Sequence, residues 1–374
     1  MNTQPIRVGI IGAAPDRGWS AAAHIPALKA LPQYALAAVC TRRRESAEAT
    51  ARKFAIPHAF SNARALAEHA DIDLVIVTAR VPEHRALVRT ALDAGKHIFC
   101  EWPLALNTEE ARTMLRAAQA AGVRHMVGLQ GRVHPVLLHA KQMIADGAIG
   151  RLLSVSLISS LASWGPKLPP AEEYRTDRAN GATGLTIPGG HTLDTLQYCF
   201  GRFDQVAAVL ATQHKECEII GTNRTVRVTS PDQVIVTASL ANGAVLNAHI
   251  KADMATPIGV RLELNGTDGD LLLTSYTLPG QDPVGLQRAE LTLQRSRRGT
   301  KEYEEVPVTI DDPSLRDVPR GAPFYTACLL VNLADAIRND TDAHPGFADA
   351  VATHELLDAV QRAADFGSRT QVAA

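Results

Sequence analysis

Val8-Gly9-Ile10-Ile11-Gly12-Ala13-Ala14-Pro15-Asp16-Arg17-Gly18-Trp19 is the stretch from which the fold is read. The apolar run Ile6 to Ile11 has the length and β-branched character of a strand buried on both faces, and it breaks on Gly12. An Ala-rich amphipathic stretch, Ala21 to Leu31, follows as a helix. The order then repeats: strand Tyr34 to Cys40 and helix Glu45 to Phe54; strand Leu74 to Thr78 and helix Glu83 to Ala94; strand His97 to Cys100, helix Thr108 to Ala121 and strand His125 to Gly128. Strands that alternate with helices pair in parallel through right-handed crossovers, which predicts a doubly wound sheet.

After a helix over Val136 to Asp146 the texture changes. Leu152 to Ser160, Val206 to Thr212, Val234 to Leu240, Ala244 to Ile250 and Val260 to Leu264 read as strands. Ala241-Asn242-Gly243 and Gly266-Thr267-Asp268-Gly269 are hairpin signals, so the expected second sheet is large, open and mostly antiparallel. Helices at Phe324 to Arg338 and Phe347 to Phe366 close the chain. The expected class is α/β, with residues 1–130 as a Rossmann domain and 131–374 as a substrate-binding and oligomerisation domain. A length of 374 residues suits two cores.

A net charge of −1 argues for neither nucleic acid nor an anionic membrane as partner. The five scattered cysteines show no metal-ligand spacing, so no metal, reduced thiols and a cytoplasmic home are expected. No signal-type or membrane-spanning apolar stretch is seen.

A strand–glycine turn–helix is where a dinucleotide fold seats a pyrophosphate, against backbone N–H groups and a helix start. Gly12, Ala13, Ala14, Gly18 and Trp19 are the candidates, although Ala14 replaces one expected glycine and Gly18 comes late. Taken alone, such a turn can equally be structural. After the second strand the chain reads Thr41-Arg42-Arg43-Arg44. An acidic residue there would hold the ribose hydroxyls of NAD; a hydroxyl and guanidinium groups suit the 2′-phosphate of NADP. The reading is NAD(P), with NADP favoured and an arginine-rich, solvated helix start as the alternative.

Gly95-Lys96-His97-Ile98-Phe99-Cys100-Glu101-Trp102-Pro103 resembles the Gfo/Idh/MocA family of NAD(P)-dependent sugar oxidoreductases, whose usual Glu-Lys-Pro is Glu101-Trp102-Pro103 here. Pro82-Glu83-His84, Gln130-Gly131-Arg132 and Gly189-Gly190-His191-Thr192-Leu193-Asp194 extend the likeness. Gly18-Trp19 with His24-Ile25-Pro26-Ala27, and Glu101-Trp102, are similar to the branch holding the fungal galactose-gene repressor. The resemblance implies hydride transfer between a nicotinamide and a sugar or polyol, and a dimer or tetramer. It implies His191 as catalytic base, Asp194, Trp102, Arg132 and Tyr174 as substrate contacts, and His84 and Glu101 beside the coenzyme. Two polar groups depart from the pattern, because Trp102 replaces the lysine and Ile187 an aspartate. An indole cannot carry positive charge to an alkoxide. A catalytically silent sensor that binds dinucleotide and sugar is therefore the rival reading.

Overall fold

The computed structural model describes residues 4–277 and 282–372. The chain forms two compact units, one of Met1–Gln130 with Asp311–Ala352, the other of Gly131–Ile310 with Thr353–Ala374.

The first unit begins with β1 (Ile6–Ile11), a π turn at Ser20–His24 that runs into α1 (Ile25–Ala30), β2 (Tyr34–Cys40), α2 (Arg44–Phe54), β3 (His58–Phe60) and α3 (Ala63–Ala67). It continues with β4 (Leu74–Val77), α4 (Val81–Asp93), β5 (His97–Cys100), α5 (Thr108–Ala121) and β6 (His125–Val127). The six strands form one sheet in the order β3-β2-β1-β4-β5-β6, with every pair parallel. The order reverses at β1, the topological switch point at which such sheets bind ligands. Local chemistry sets the helices. In α5, Asn107 Oδ1 accepts the Glu110 amide at 2.9 Å, and Gly122 at φ 64° ends the helix. Arg7 joins β1 to the start of β4 through Asp73, with Nε–Oδ2 at 2.9 Å and Nη2–Oδ1 at 2.7 Å.

The second unit opens with α6 (Pro135–Ala145) and β7 (Leu152–Ser160), then β8 (Lys167–Leu168), short 3₁₀ turns, and α7 (Gly190–Phe200). The strands β9 (Phe203–Ala211), β10 (Glu216–Ile219), β11 (Arg224–Arg227), β12 (Gln233–Leu240), β13 (Val245–Lys251), β14 (Gly259–Gly266), β15 (Gly269–Tyr276), β16 (Glu290–Arg297), β17 (Glu304–Glu305) and β18 (Thr370–Gln371) follow. Nine of these strands make a sheet ordered β17-β16-β15-β14-β7-β13-β12-β9-β18. All neighbours are antiparallel except β7 and β13. Both expected hairpins form, β12–β13 and β14–β15.

Period-2 alternation divides this sheet into two faces. Leu262, Leu157, Ala248, Val236 and Ala208 lie in one cross-strand row, and the first four of them are almost fully buried. The neighbouring row, Arg261, Ile158, His249, Ile235 and Val209, points the other way, and Ile158, Ile235 and Val209 are exposed.

A three-stranded sheet, β11-β10-β8, has a separate small core of Leu168, Cys217 and Ile219 against Val226 and Val228. None of its three strands is among those read from the sequence pattern. Two C-terminal helices complete the chain, α8 (Ala322–Asn339) and α9 (Phe347–Phe366). α8 belongs to the first unit, where the carbonyl of Leu330 accepts the Tyr34 hydroxyl at 2.6 Å. Among the described residues no helix is long and apolar enough to cross a membrane.

Candidate functional site

In the first unit the site is built around the C-terminal ends of β1, β4 and β5. Gly12 leaves β1 at φ 103°, and a Cβ there would lie 2.8 Å from the backbone nitrogen of Ala79. Only glycine lets the turn pass so close to the end of β4. Ala13 is buried, and its carbonyl accepts the Thr50 hydroxyl at 2.8 Å, so α2 braces the turn from below. Ala14 and Gly18 continue the loop, Gly18 at φ 87°. Trp19 immediately precedes the following helical segment. A glycine turn that approaches the sheet this closely fits a dinucleotide pyrophosphate.

Trp19 also holds a carboxylate that several side chains share. Its indole Nε1 donates to Glu101 Oε1 at 3.0 Å. The same oxygen lies 2.5 Å from His24 Nε2, and Gln130 Nε2 donates to Glu101 Oε2 at 3.4 Å. His24 is fully buried and stacks edge-on against Phe99 at 5.0 Å. Glu101 therefore ties the loop after β1 to the end of β5. Trp102, next in the chain, is buried at 5% exposure and joined to Pro103 by a cis peptide.

His84 is buried on α4 and bridges two carbonyls, Pro103 O through Nδ1 and Ala79 O through Nε2, each at 2.9 Å. Burial lowers its pKa against the pull of those carbonyls. This histidine fastens the loop after β4 to the turn after β5. At the end of β2 the Thr41 hydroxyl donates to the Arg43 carbonyl at 2.8 Å, while exposed Arg42 lies 3.6 Å from Glu83.

In the second unit, α7 carries His191 and Asp194 near its start, one turn apart. The two differ in their surroundings. Asp194, 1% exposed, receives Arg132 through Nε at 3.0 Å on Oδ2 and through Nη2 at 2.7 Å on Oδ1, and it accepts the Thr353 hydroxyl at 2.7 Å. Its carboxylate is thus engaged within the protein. The close approach depends on Gly131, where a Cβ would meet the Thr195 hydroxyl oxygen at 1.9 Å. Arg132 also lies over the Tyr198 ring at 4.9 Å, and Lys141 Nζ is 3.5 Å from the same ring.

His191 is buried, and its Nδ1 has no hydrogen-bond partner among the described residues. Burial first, and the Arg288 guanidinium second, lower its pKa to about 3. The ring is neutral across the physiological range, with an unused nitrogen. Tyr174 sits half-buried in the 3₁₀ segment Pro170–Thr176, where its carbonyl accepts Asn180 Nδ2 at 2.8 Å. Trp164, which precedes that segment, lies under Arg175 at 4.0 Å and so helps fasten it. Sequence reasoning gave no role to His24, Gly131, Arg288 or Thr353. His24 and Gly131 had a local signal, since both stand in stretches that carry the family likeness.

A glycine turn at the switch point of a six-stranded parallel sheet, joined to a unit with a large open sheet, defines the class: an NAD-binding oxidoreductase fold. Residues 6–129 match the family described as oxidoreductase, NAD-binding Rossmann fold, and residues 135–275 match the Gal80p C-terminal domain. The chain belongs to the Gfo/Idh/MocA oxidoreductase family. It is 30% identical over 292 residues to the galactose/lactose metabolism regulatory protein GAL80 of Saccharomyces cerevisiae, covering 73% of this chain and 67% of that one. It is 29% identical to levoglucosan dehydrogenase of Pseudarthrobacter phenanthrenivorans over 96% of both chains. A levoglucosan dehydrogenase structure in complex with NADH and levoglucosan superposes with a TM-score of 0.84 at 25% identity, covering 99% of this chain and 100% of that one.

Proposed function

We propose that the chain is an NAD(P)-dependent oxidoreductase acting on a carbinol carbon of a sugar or polyol, with His191 as proton acceptor. The carrying observation is the buried, neutral imidazole with an unpartnered Nδ1. An unsatisfied buried polar atom is costly, and a substrate hydroxyl would relieve that cost. When bound, the nicotinamide supplies the hydride acceptor or donor. As hydride leaves the carbinol, its hydroxyl takes on the strong acidity of a protonated carbonyl, so a weakly basic imidazole suffices to accept the proton. In the reverse direction the proton returns along the same path, from His191 to the forming alkoxide.

The coenzyme is assigned to the first unit, with Gly12, Ala13, Ala14, Gly18 and Trp19 at the pyrophosphate and Thr41 and Arg42 at the adenine ribose. The absence of an acidic residue after β2 supports NADP over NAD. Glu101 and His84 are assigned as positioning residues that hold the loops beside the nicotinamide. In the second unit Asp194 is assigned to hold Arg132 rather than to receive substrate itself. Tyr174 is assigned as ring surface for a sugar in the second unit, and Trp102 as a substrate contact in the first. Free thiols at all five cysteines accord with a cytoplasmic location. The exposed row containing Ile158, Ile235 and Val209 supports a homodimer through the large sheet.

A second reading is a regulator that keeps the binding and has lost the chemistry. It is favoured by the buried indole of Trp102, which brings no cation to the alkoxide. Loss of one such electrostatic contact costs about 2.7–4 kcal/mol, or roughly a hundredfold to a thousandfold in rate. The likeness of residues 135–275 to the Gal80p C-terminal domain also supports it.

Thermal melting with NADPH or NADH should show a coenzyme-dependent rise under both readings, larger for NADPH. Turnover of aldoses and polyols separates them. Detected turnover that survives His191→Ala would remove His191 from the chemistry. Trp102→Lys should raise slow turnover if only the cation is lacking.

A further inference from the structure

The outer edge of the parallel sheet carries a cluster unconnected with the coenzyme turn. His58 opens the edge strand β3, while His69 and Asp71 lie on the loop between α3 and β4. One donor atom from each of the three residues falls within 4.8 Å of the others. His58 Nε2 is 3.9 Å from Asp71 Oδ2, and the two imidazole rings lie 4.6 Å apart at 44°. The other carboxylate oxygen, Oδ1, is held by Arg7 Nη1 at 3.1 Å, which leaves Oδ2 turned toward the histidines. His69 Nδ1 accepts the Asp71 amide at 3.2 Å, a bond that closes the loop on itself. Phe60 packs edge-on against His69 at 5.5 Å and walls one side.

The His58 and Asp71 side chains are 40% and 55% exposed, so water can reach the cluster. Two imidazoles and a carboxylate oxygen are the donor set that borderline first-row divalent ions take, with solvent in the remaining position. At bond lengths of about 2.0–2.2 Å, tetrahedral donors stand roughly 3.3 Å apart. Small side-chain rotations at the rim would close the present spacing, while Asp71 keeps its hold on Arg7. We propose that His58, His69 and Asp71 form a surface site for one divalent transition-metal ion of the zinc class, clipping β3 to the loop that precedes β4. The cluster shares no residue with the coenzyme turn or with the surroundings of His191, so it stands or falls independently of the proposed reaction.

The test uses the full, untagged chain, stripped with chelator and titrated with Zn²⁺ by calorimetry, and with Co²⁺ by visible absorption. One saturable equivalent is expected, with the d–d bands of low-symmetry, nitrogen-ligated Co²⁺. Bound Zn²⁺ should also raise the melting temperature. His58→Ala and His69→Gln, both at partly exposed positions, should weaken that equivalent by more than the roughly 10–100-fold that loss of a supporting partner costs. His344→Ala, at an exposed histidine near Asp349, should leave it unchanged and controls for adventitious surface binding. Absence of a saturable equivalent overturns the proposal. So does an equivalent whose affinity is the same in His58→Ala, His69→Gln and the parent chain.

Discussion

His24 Nε2 lies 2.5 Å from Glu101 Oε1, so a fully buried imidazole secures the carboxylate that precedes Trp102. Trp19 donates to the same oxygen. Two segments far apart in sequence thus meet on one atom. Hydrogen bonds to a charged group contribute about 1.5–3 kcal/mol each. Glu101→Ala should lower the unfolding free energy, read from denaturant titration, by an amount in that range or above it. It should weaken coenzyme binding as well, since the loop after β1 loses its anchor. Calorimetric titration of NADPH into variant and parent reads the second effect, and equal affinities would count against the anchoring role.

Asp194 and Arg132 are a buried pair, and breaking such a pair from one side costs about 3–5 kcal/mol. Asp194→Ala is expected to destabilise on that scale. Arg132→Met combined with Asp194→Leu should cost clearly less than the sum of Asp194→Ala and Arg132→Ala, because neither variant partner leaves a buried charge alone. Additive losses in chemical denaturation would contradict the clamp.

The acid side of the stability profile follows from His191 and His354, whose pKa values burial lowers to about 3 and about 4. An unfolded histidine takes up a proton near pH 6.5, while these two stay neutral in the folded chain. Protonation therefore favours the unfolded state as pH falls from about 6.5 toward the folded values. The contribution is fully present above pH 6.5, and each group loses on the order of 1 kcal/mol per pH unit below it. Stability should fall between pH 6.5 and 4, and His191→Gln should flatten that slope relative to its own value at pH 7.5. An identical slope in the variant would be evidence against a neutral His191.

Gly12 and Gly18 should respond differently to alanine. Both sit at positive φ, but a Cβ on Gly12 would press on the backbone of Ala79, whereas one on Gly18 meets nothing within 4 Å. Gly18→Ala should cost only the left-handed backbone term of about 1–2 kcal/mol. Gly12→Ala adds a clash with backbone that cannot rotate away, so its melting temperature should fall further and coenzyme binding should be lost. Equal effects of the two substitutions would show that the turn moves freely against β4.

The strand–turn–helix alternation of the first 130 residues, both hairpins and the two late helices were legible because each rests on neighbours a few residues apart. Period 2 and period 3.6 are local properties of the backbone. β3, α3 and the sheet of β8, β10 and β11 were not, since short elements with polar residues among the apolar ones, such as Arg224–Arg227, lack the apolar run that marks an equally short strand such as Leu74–Val77. The glycine turn proposed for the coenzyme could be picked out from Gly12 and its position after β1.

His191 and Asp194 could be picked out as a pair, one turn apart, from the chain alone. That one would be left with an open nitrogen and the other consumed by Arg132 and Thr353 could not, because those partners lie 62 and 159 residues away. For the same reason, nothing in the order of elements says that residues 311–352 return to the first unit. Periodicity is written between near neighbours and survives in a linear string. Burial, and with it the state and task of an ionisable group, is a sum over everything packed around it, and that sum exists only once the chain has folded.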